Sequence, residues 1–176
     1  MLQDLPELIY PLQFARSRRF LRGRVTLVEM HRLRPLLAAR EGNVDVNFQF
    51  GPDNSDRLSI QGTVRADLYL ICQRCLGAML FHAESDVRLN LVSADDQMGC
   101  LVKHVSPGFE LLVVVNDEAM TLSDLVEDEL LLALPIVPKH VDDICEVASR
   151  HLVTESVQNN RKKPFAMLGD LIERTE

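Results

Sequence analysis

Aromatic side chains and long apolar runs are both scarce in this 176-residue sequence. It has no Trp, and aromatic residues make up only 5% of it, so the core has to be built from aliphatic side chains. No run approaches the roughly 18 apolar residues that a membrane-spanning helix needs, which predicts a protein without a membrane partner. The N-terminus carries Asp4, Pro6, Glu7 and Pro11, unlike a secretory signal. We therefore expect a cytoplasmic protein with reduced cysteines.

The sequence also lacks the common catalytic motifs. It contains no Gly-x-Ser-x-Gly elbow, no phosphate-binding loop, no Gly-x-Gly-x-x-Gly and no His-Glu-x-x-His. Adjacent acids such as Glu127 and Asp128 are typical of a solvated helix face. Four histidines stand alone in the sequence: His31, His82, His104 and His151. We therefore predict no catalytic residues, no enzyme activity and no small-molecule substrate.

Positive charge is concentrated in one part of an acidic chain. The whole chain has a formal net charge of −7, whereas residues 10–40 carry arginines against Glu29 alone, a balance of +7. Such a segment either pairs with the acidic remainder or contacts phosphates. The candidate RNA contacts lie early in this segment and in a basic run near the C-terminus: Arg16, Arg18, Arg19, Arg22, Arg24, Arg161, Lys162 and Lys163.

The most distinctive chemistry is the Cys-x-x-Cys sequence formed by Cys72 and Cys75, at the end of a strand-like run. Two thiols at this spacing can face the same way from a tight turn and serve a metal, a disulfide or a redox pair. A structural zinc site would add His140 and Cys145, because three sulfurs and one nitrogen suit zinc. The His-x4-Cys half is loose, so reduced, partly buried thiols are the alternative. A thioredoxin-like role is disfavoured, since the pair does not begin a helix in a βαβ pattern.

Alternating apolar and polar residues predict most of the strands. Residues 44–50 alternate as in a half-buried strand, residues 58–70 continue the alternation through Gly62, and residues 76–92 form another long strand. Shorter strands are predicted at 24–28 and 110–115. Because sequential strands need no helix between them, the sheet is expected to be mainly antiparallel. The predicted fold class is α+β, with a curved sheet that is either open or partly barrel-like, one main helix packed on it and short terminal helices.

The clearest predicted helix runs from Thr121 to Leu134. Thr121 and Asp124 suit a capping box, and Pro135 stops the helix. Residues 29–39 also show helical spacing, shortened or kinked by Pro35, whereas residues 1–15 are predicted to form an extended arm. We predict a single α+β domain over residues 1–147, a flexible linker over residues 148–163, and a short C-terminal amphipathic helix over residues 164–176.

Glu129 falls in the middle of the apolar face of the main predicted helix, while Glu127 and Asp128 fall outside it. A lone ionised carboxylate on that face would cost several kcal/mol unless it were paired or hydrogen-bonded. Our hypothesis is that Glu129 pairs with Arg74, between the two cysteines, and so fixes the helix against the Cys-x-x-Cys turn. The alternative is a helix rotated far enough for Glu129 to reach water.

Taken together, these motifs resemble the YceD family of bacterial proteins, the large ribosomal RNA subunit accumulation proteins. The matching pieces are Cys-Gln-Arg-Cys-Leu at a strand end, an acidic, leucine-rich helix ending in Leu-Pro, and Lys-Pro-Phe-Ala near the C-terminus. Their order and spacing extend over about residues 10–172. The residues that carry the family motif are Cys72, Arg74, Cys75, Glu127, Asp128, Glu129, Pro135, His140 and Cys145.

The resemblance implies a cytoplasmic, non-enzymatic factor needed for normal accumulation or processing of large-subunit ribosomal RNA. Its expected partner is large-subunit rRNA, the pre-ribosome or a basic ribosomal protein, and the family offers no catalytic residues to carry over. The alternative, which follows from the residues alone, is a small zinc-binding or thiol-based regulatory protein that uses Cys72 and Cys75.

Overall fold

The chain forms two β-sheets and two α-helices in the computed structural model, which describes residues 5–94, 105–115, 118–141 and 144–145. The strands are β1 (Leu8–Ile9), β2 (Phe20–Thr26), β3 (Asn43–Pro52), β4 (Leu58–Ile71), β5 (Ala78–Ser93), β6 (Glu110–Val114) and β7 (Met120–Thr121). The helices are α1 (Pro11–Arg16) and α2 (Leu122–Ala133). No helix in these ranges is long and apolar enough to cross a membrane. The predicted linker and C-terminal helix lie outside the described residues.

A five-stranded sheet in the order β2-β3-β4-β5-β6 forms the frame of the molecule. The neighbours from β2 to β5 are antiparallel, and β6 pairs parallel with β5. Strands β1 and β7 form a second, two-stranded sheet. This confirms the predicted α+β class with a mainly antiparallel sheet. Because β2 and β6 stay unpaired with each other in the described part of the chain, the sheet does not close into a barrel.

The sheet buries one face and exposes the other. In β3, Val44, Val46, Phe48 and Phe50 are buried while the residues between them are exposed, which is the predicted alternation. Helix α2 packs against the inner side of β4 and β5, and α1 packs against β3 and β4. The ring of Phe14 from α1 meets Phe50 edge-on, with centroids 5.5 Å apart. The core lies between the sheet and the two helices. It is mainly aliphatic, as the scarcity of aromatics predicts, but it also contains Phe14, Phe48 and Phe50.

Gly62 lies where the backbones of β3 and β4 approach closely. A Cβ atom at this position would stand 1.9 Å from the carbonyl oxygen of Asn47, a distance that no side chain tolerates. The sequence left open whether residues 58–70 form two strands or one strand bent at Gly62, and β4 is one continuous strand from Leu58 to Ile71.

Three local predictions are wrong. Residues 11–16 form α1 instead of part of an extended arm, because Pro11 at the first turn favours a helix start. Residues 29–39 contain the 3-10 turn Arg34–Leu36 in place of an α-helix, preceded by another over Leu27–Glu29. Thr121 does precede α2, but its side chain makes no capping hydrogen bond. In the first two cases a proline or tertiary constraint outweighs the local spacing.

Candidate functional site

The Cys-x-x-Cys turn and the segment after α2 bring four metal-ligand side chains together. The ligand atoms of Cys72, Cys75, His140 and Cys145 all lie within 4.8 Å of one another. β4 ends just before the first cysteine and β5 begins shortly after the second, so the Cys-x-x-Cys sequence is the hairpin turn itself. The four residues are the set predicted from the sequence, and we call them the thiol–imidazole group.

Backbone hydrogen bonds hold the two halves of the thiol–imidazole group together. Leu76 N donates to Cys72 O at 2.8 Å, which closes the turn, and Gln73 N donates to Pro138 O at 2.8 Å, which docks the second half onto it. His140 N then donates to the Sγ of Cys72 at 3.4 Å. Leu76 has a φ of 60°, a left-handed conformation that costs a non-glycine residue roughly 1–2 kcal/mol. The turn therefore brings its two sulfurs together at a cost in backbone energy at Leu76.

His140 directs one ring nitrogen at the thiols. Its Nε2 lies 3.1 Å from Ala78 O, and because a carbonyl oxygen can only accept, Nε2 carries the proton. In the neutral ring Nδ1 then keeps its lone pair, and it lies 3.3 Å from the Sγ of Cys75. A backbone carbonyl partner of this kind commonly fixes the tautomer of metal-binding histidines. The imidazole is thus oriented to ligate through Nδ1.

The two thiols of the turn have different proton affinities. Burial raises the pKa of Cys72, but the backbone N–H groups of Cys75, His140 and Arg74 directed at its sulfur outweigh burial and lower that pKa to about 5. The N–H of Gly77 lowers the pKa of Cys75, but burial and the nearby sulfurs of Cys72 and Cys145 outweigh it and raise that pKa. A cation would favour the thiolate of both residues, because metal ligation requires deprotonated sulfur.

The donor set fits a zinc ion. Three thiols and one imidazole are the soft and borderline ligands that zinc prefers, and four protein ligands leave no open position for a substrate. With Zn–S bonds near 2.3 Å, two sulfurs on one tetrahedral zinc lie about 3.8 Å apart. The spread of up to 4.8 Å among the ligand atoms therefore needs a contraction of about 1 Å. The group can hold a metal, and a metal held there would be structural.

The predicted pairing of Glu129 with Arg74 is wrong. Glu129 Oε2 accepts a hydrogen bond from the hydroxyl of Ser85 at 2.7 Å, whereas a terminal nitrogen of Arg74 donates to His140 O at 2.9 Å. Ser85 lies eight residues along the chain from Gly77, roughly 25 Å at 3.3 Å per strand residue. Glu129 is therefore held away from the turn, and Arg74 instead fastens the two halves of the thiol–imidazole group.

Glu127, which the sequence placed on the solvent side of α2, is buried with 2% of its surface exposed. Its Oε1 accepts the backbone N–H groups of Arg32 at 2.6 Å and Leu33 at 2.9 Å, and its Oε2 accepts from Arg32 Nε at 2.9 Å. Asp128 accepts from the same guanidinium at 2.6 Å, and the two carboxylates raise the pKa of Arg32. These acids fasten the segment after β2 to α2. Sequence reasoning missed this role, because Glu127 and Arg32 are 95 residues apart.

The arginines predicted to contact RNA divide into partnered and unpartnered sets. Arg24 forms an ion pair with Asp45 at 2.8 Å, and the guanidinium of Arg19 lies 4.6 Å from the centroid of the Phe14 ring. Three others are exposed and have no carboxylate within ion-pair distance among the residues that the structure describes: Arg16, Arg18 and Arg22. The remaining three, Arg161, Lys162 and Lys163, lie outside those residues.

Comparison with known proteins agrees with the sequence motifs. The family model described as "Large ribosomal RNA subunit accumulation protein YceD" matches residues 60–172, a range that contains every residue assigned to the family motif. A protein from Haemophilus influenzae with that same description is 28% identical over 174 residues, which is 97% of each chain. No solved structure matches this chain.

Proposed function

Because the chain belongs to the YceD family of large ribosomal RNA subunit accumulation proteins, as its motifs indicated, we propose that it acts in large-subunit biogenesis. In this proposal it is a cytoplasmic, non-enzymatic factor that supports the accumulation or processing of large-subunit rRNA. It does so by binding precursor rRNA or a basic ribosomal protein. The thiol–imidazole group and the hydrogen bonds from Arg32 and Leu33 to Glu127 hold the segments that carry the binding surfaces.

The observation that carries the proposal, beyond the family match, is the exposed basic stretch that runs from the end of α1 into β2. Arg16, Arg18 and Arg22 project from a short stretch of an otherwise acidic protein and have no carboxylate partner in the described residues. Charged side chains without an internal partner are available to phosphates, and each phosphate contact releases counterions. The basic stretch therefore supports a contact with RNA more directly than the acidic remainder of the chain supports one with a basic protein.

The cellular test is deletion of the gene followed by measurement of large-subunit rRNA relative to small-subunit rRNA. We expect a lower ratio that the wild-type gene restores. An unchanged ratio during rapid growth would contradict the assembly role.

The partner is tested with the protein itself. RNA captured with the tagged protein should dissociate steeply with salt, since each single-strand phosphate contact contributes about −0.7 to the slope of log K against log salt. Replacing Arg16, Arg18 and Arg22 with Ala should abolish most of this binding. The matched control replaces Arg24 and Arg65, which are already paired with Asp45 and Glu84. If the tagged protein captures a ribosomal protein but no RNA that salt releases, the partner is a protein and not RNA.

We also propose that the thiol–imidazole group holds one structural zinc ion. The specific observation is the orientation of His140, whose Nε2 donates to Ala78 O while Nδ1 faces the sulfurs. Protein purified without chelator should contain one zinc per chain by elemental analysis. His140→Ala should lose it, whereas His82→Ala should keep it, because His82 lies on the outer face of β5 beside Asp67. Absence of zinc from fully active protein would instead favour thiol-based regulation through Cys72 and Cys75.

A further inference from the structure

The solvent-exposed face of the five-stranded sheet changes character along its strands. Near the Cys-x-x-Cys turn it is apolar, with Tyr69 and Leu80 directly opposite each other. Its middle carries paired charges, and its far part carries uncharged amides and arginines. We infer that this far part, which we call the amide surface, binds single-stranded RNA. The inference rests on the proposed function and names its partner and contact surface. The amide surface consists of Phe20, Arg22, Asn47, Gln49, Gln61 and Arg88.

The strand register places these side chains in rows across four strands. One row contains, from β2 to β5, Phe20, Gln49, Gln61 and Arg88. The next row contains Arg22, Asn47, Thr63 and Asp86. Adjacent strands lie about 4.8 Å apart, so each row spans roughly 14 Å. The amide surface is therefore a continuous platform.

The side-chain amides of the amide surface have donors and acceptors that form no hydrogen bond with other described residues. Asn47 and Gln49 are exposed, and their side chains form no hydrogen bond within the described part of the chain. Gln61 donates through Nε2 to the hydroxyl of Ser59 at 3.2 Å, which leaves its carbonyl oxygen available. A side-chain amide offers donors and an acceptor together, and unstacked RNA bases present matching groups on their edges.

The two arginines of the amide surface are also free to contact a ligand. Arg22 and Arg88 have no carboxylate within ion-pair distance among residues with described positions. One row further along, every arginine is neutralised: Arg24 by Asp45 at 2.8 Å and Arg65 by Glu84 at 2.6 Å. Asp86 is the acid within the two rows. On this face of the sheet the unpaired positive charge is thus confined to the amide surface, because the next row consists of ion pairs.

Phe20 adds an aromatic ring to this polar platform. It is 57% exposed although it lies in a strand, which leaves an apolar face in water. A base can stack on such a ring, and removal of a stacking aromatic typically weakens single-strand binding by about fivefold to a hundredfold. Arg22 lies two residues further along the same face, where it can meet the phosphate next to a stacked base.

The shape of the platform selects single strands over duplexes. The major groove of an A-form helix is deep and narrow, so side chains on a broad sheet cannot reach the base edges in it. A sheet that offers stacking, amides and unpaired guanidinium groups suits bases that are already unstacked. A loop or an unpaired segment of RNA is therefore the expected ligand.

The test measures binding of the full-length protein to a fluorescent 12-nucleotide single-stranded RNA of mixed sequence. We expect binding that weakens with salt, with a slope of about −1.4 for phosphate contacts by Arg22 and Arg88, and weaker competition from an RNA duplex of the same length. Phe20→Ala should weaken binding about tenfold or more, and Arg22→Ala should weaken it about fivefold and reduce the salt slope. Arg24→Ala is the matched control from the same strand and face, and should stay within twofold of wild type.

Several results would overturn the inference. They are no binding at low salt, equal affinity of wild type and Phe20→Ala, or an equally large loss from Arg24→Ala. Phe20 is more than half exposed, so the variant should keep the wild-type melting temperature. If it does not, Asn47→Ala together with Gln49→Ala provides the same test without touching an apolar side chain.

Complementation separates this inference from the proposed function. If deletion lowers large-subunit rRNA and a variant with Phe20→Ala and Arg22→Ala fails to restore it, both stand. If that variant restores it fully, the amide surface is not the contact, although the assembly role stands. If deletion leaves large-subunit rRNA unchanged, the proposed function fails whatever the oligonucleotide binding shows.

Discussion

The two ends of the β4–β5 hairpin contact their neighbouring segments through different groups. Hydrogen-bond donors surround a carboxylate at one end, and metal-ligand side chains meet at the other. At the far end, the carboxylate of Asp53 accepts hydrogen bonds from the backbone of Ser55 and Arg57, the amide of Asn90 and the hydroxyl of Ser106. At the turn end, three thiols and an imidazole face one another within 4.8 Å. The first arrangement surrounds one anion with donors. The second gathers electron-pair donors around a common centre.

This difference separates a network that is complete within the protein from a group that can hold a cation. Partial burial raises the pKa of Asp53, but the hydroxyl of Ser106 and the other donors outweigh burial and lower it to about 2. The Asp53 network is therefore complete with protein groups alone. The thiol–imidazole group places four ligand atoms where one cation can contact them all, as in the proposed zinc site. We expect stability to depend on pH at one end and on metal at the other.

The largest effect should come from breaking the sheet that separates the two ends. Gly62→Ala would place a Cβ atom 1.9 Å from Asn47 O, so β3 and β4 would have to part. We expect a loss of about 3 kcal/mol or more in the free energy of unfolding, measured by urea denaturation. Gly51→Ala is the control, because its Cβ would meet nothing closer than an Arg18 side-chain carbon at 3.9 Å. A comparable loss from both would contradict this account.

Removal of the proposed zinc ion should affect the turn end alone. We expect a strong zinc chelator to lower the melting temperature by an amount equivalent to about 2–4 kcal/mol. In Cys72→Ser the unfolding free energy should already be lower and no longer respond to chelator. Unfolding curves with and without chelator provide the measurement. A wild-type protein that ignores the chelator would show that the turn is complete without metal.

Acid should affect the far end. The pKa of Asp53 in the folded protein, about 2, lies below the ordinary value of about 3.9. Its ionised form therefore stabilises the fold above about pH 4, and this contribution is lost as the pH falls towards 2. Asp53→Asn should cost about 1–3 kcal/mol at neutral pH and flatten the acid dependence. Asp56→Asn in the same turn is the control and should leave the acid dependence unchanged.

The smallest effect is expected on α2, which also holds two buried carboxylates that differ in their hydrogen bonds. Glu127 accepts three hydrogen bonds, whereas Glu129 accepts one. Burial raises the pKa of Glu129, as do the nearby carboxylates Glu110 and Asp128. Its ionised form is therefore unfavourable in the fold, and its contribution to stability falls as the pH rises above the ordinary Glu value. Glu129→Gln should gain about 0.5–1 kcal/mol at neutral pH, whereas Glu127→Gln should lose about 1–3 kcal/mol. A greater loss from Glu129→Gln would refute the contrast.

The strands were predictable because their signal is local. Alternation over residues 44–50, 58–70 and 76–92 reflects which side chains meet the core, and period-two burial depends on the strand itself. The helix predicted at residues 29–39 failed because Pro35 and the docking onto α2 decided that segment. A spacing of apolar residues does not report such long-range contacts.

The sequence predicted which residues form the candidate site, but not the hydrogen-bond partners that orient them. Cys72, Cys75, His140 and Cys145 are recognisable as ligands by residue type, and the structure brings them together. The hydrogen bond from His140 to Ala78, the one from Arg74 to His140, and the burial of Glu127 have no counterpart in residue type or spacing. Each depends on a backbone group that only the folded chain delivers.

The sequence by itself determined the alternating sheet, the four possible metal ligands, the basic segment and the family. Within the described residues, the tertiary structure decided which carboxylates accept hydrogen bonds, which imidazole nitrogen carries the proton and which arginines lack a carboxylate partner. The physical reason is distance along the chain. Residue type and periodicity act over a few positions, whereas the partner of a charge or a lone pair is chosen by segments that meet only after folding.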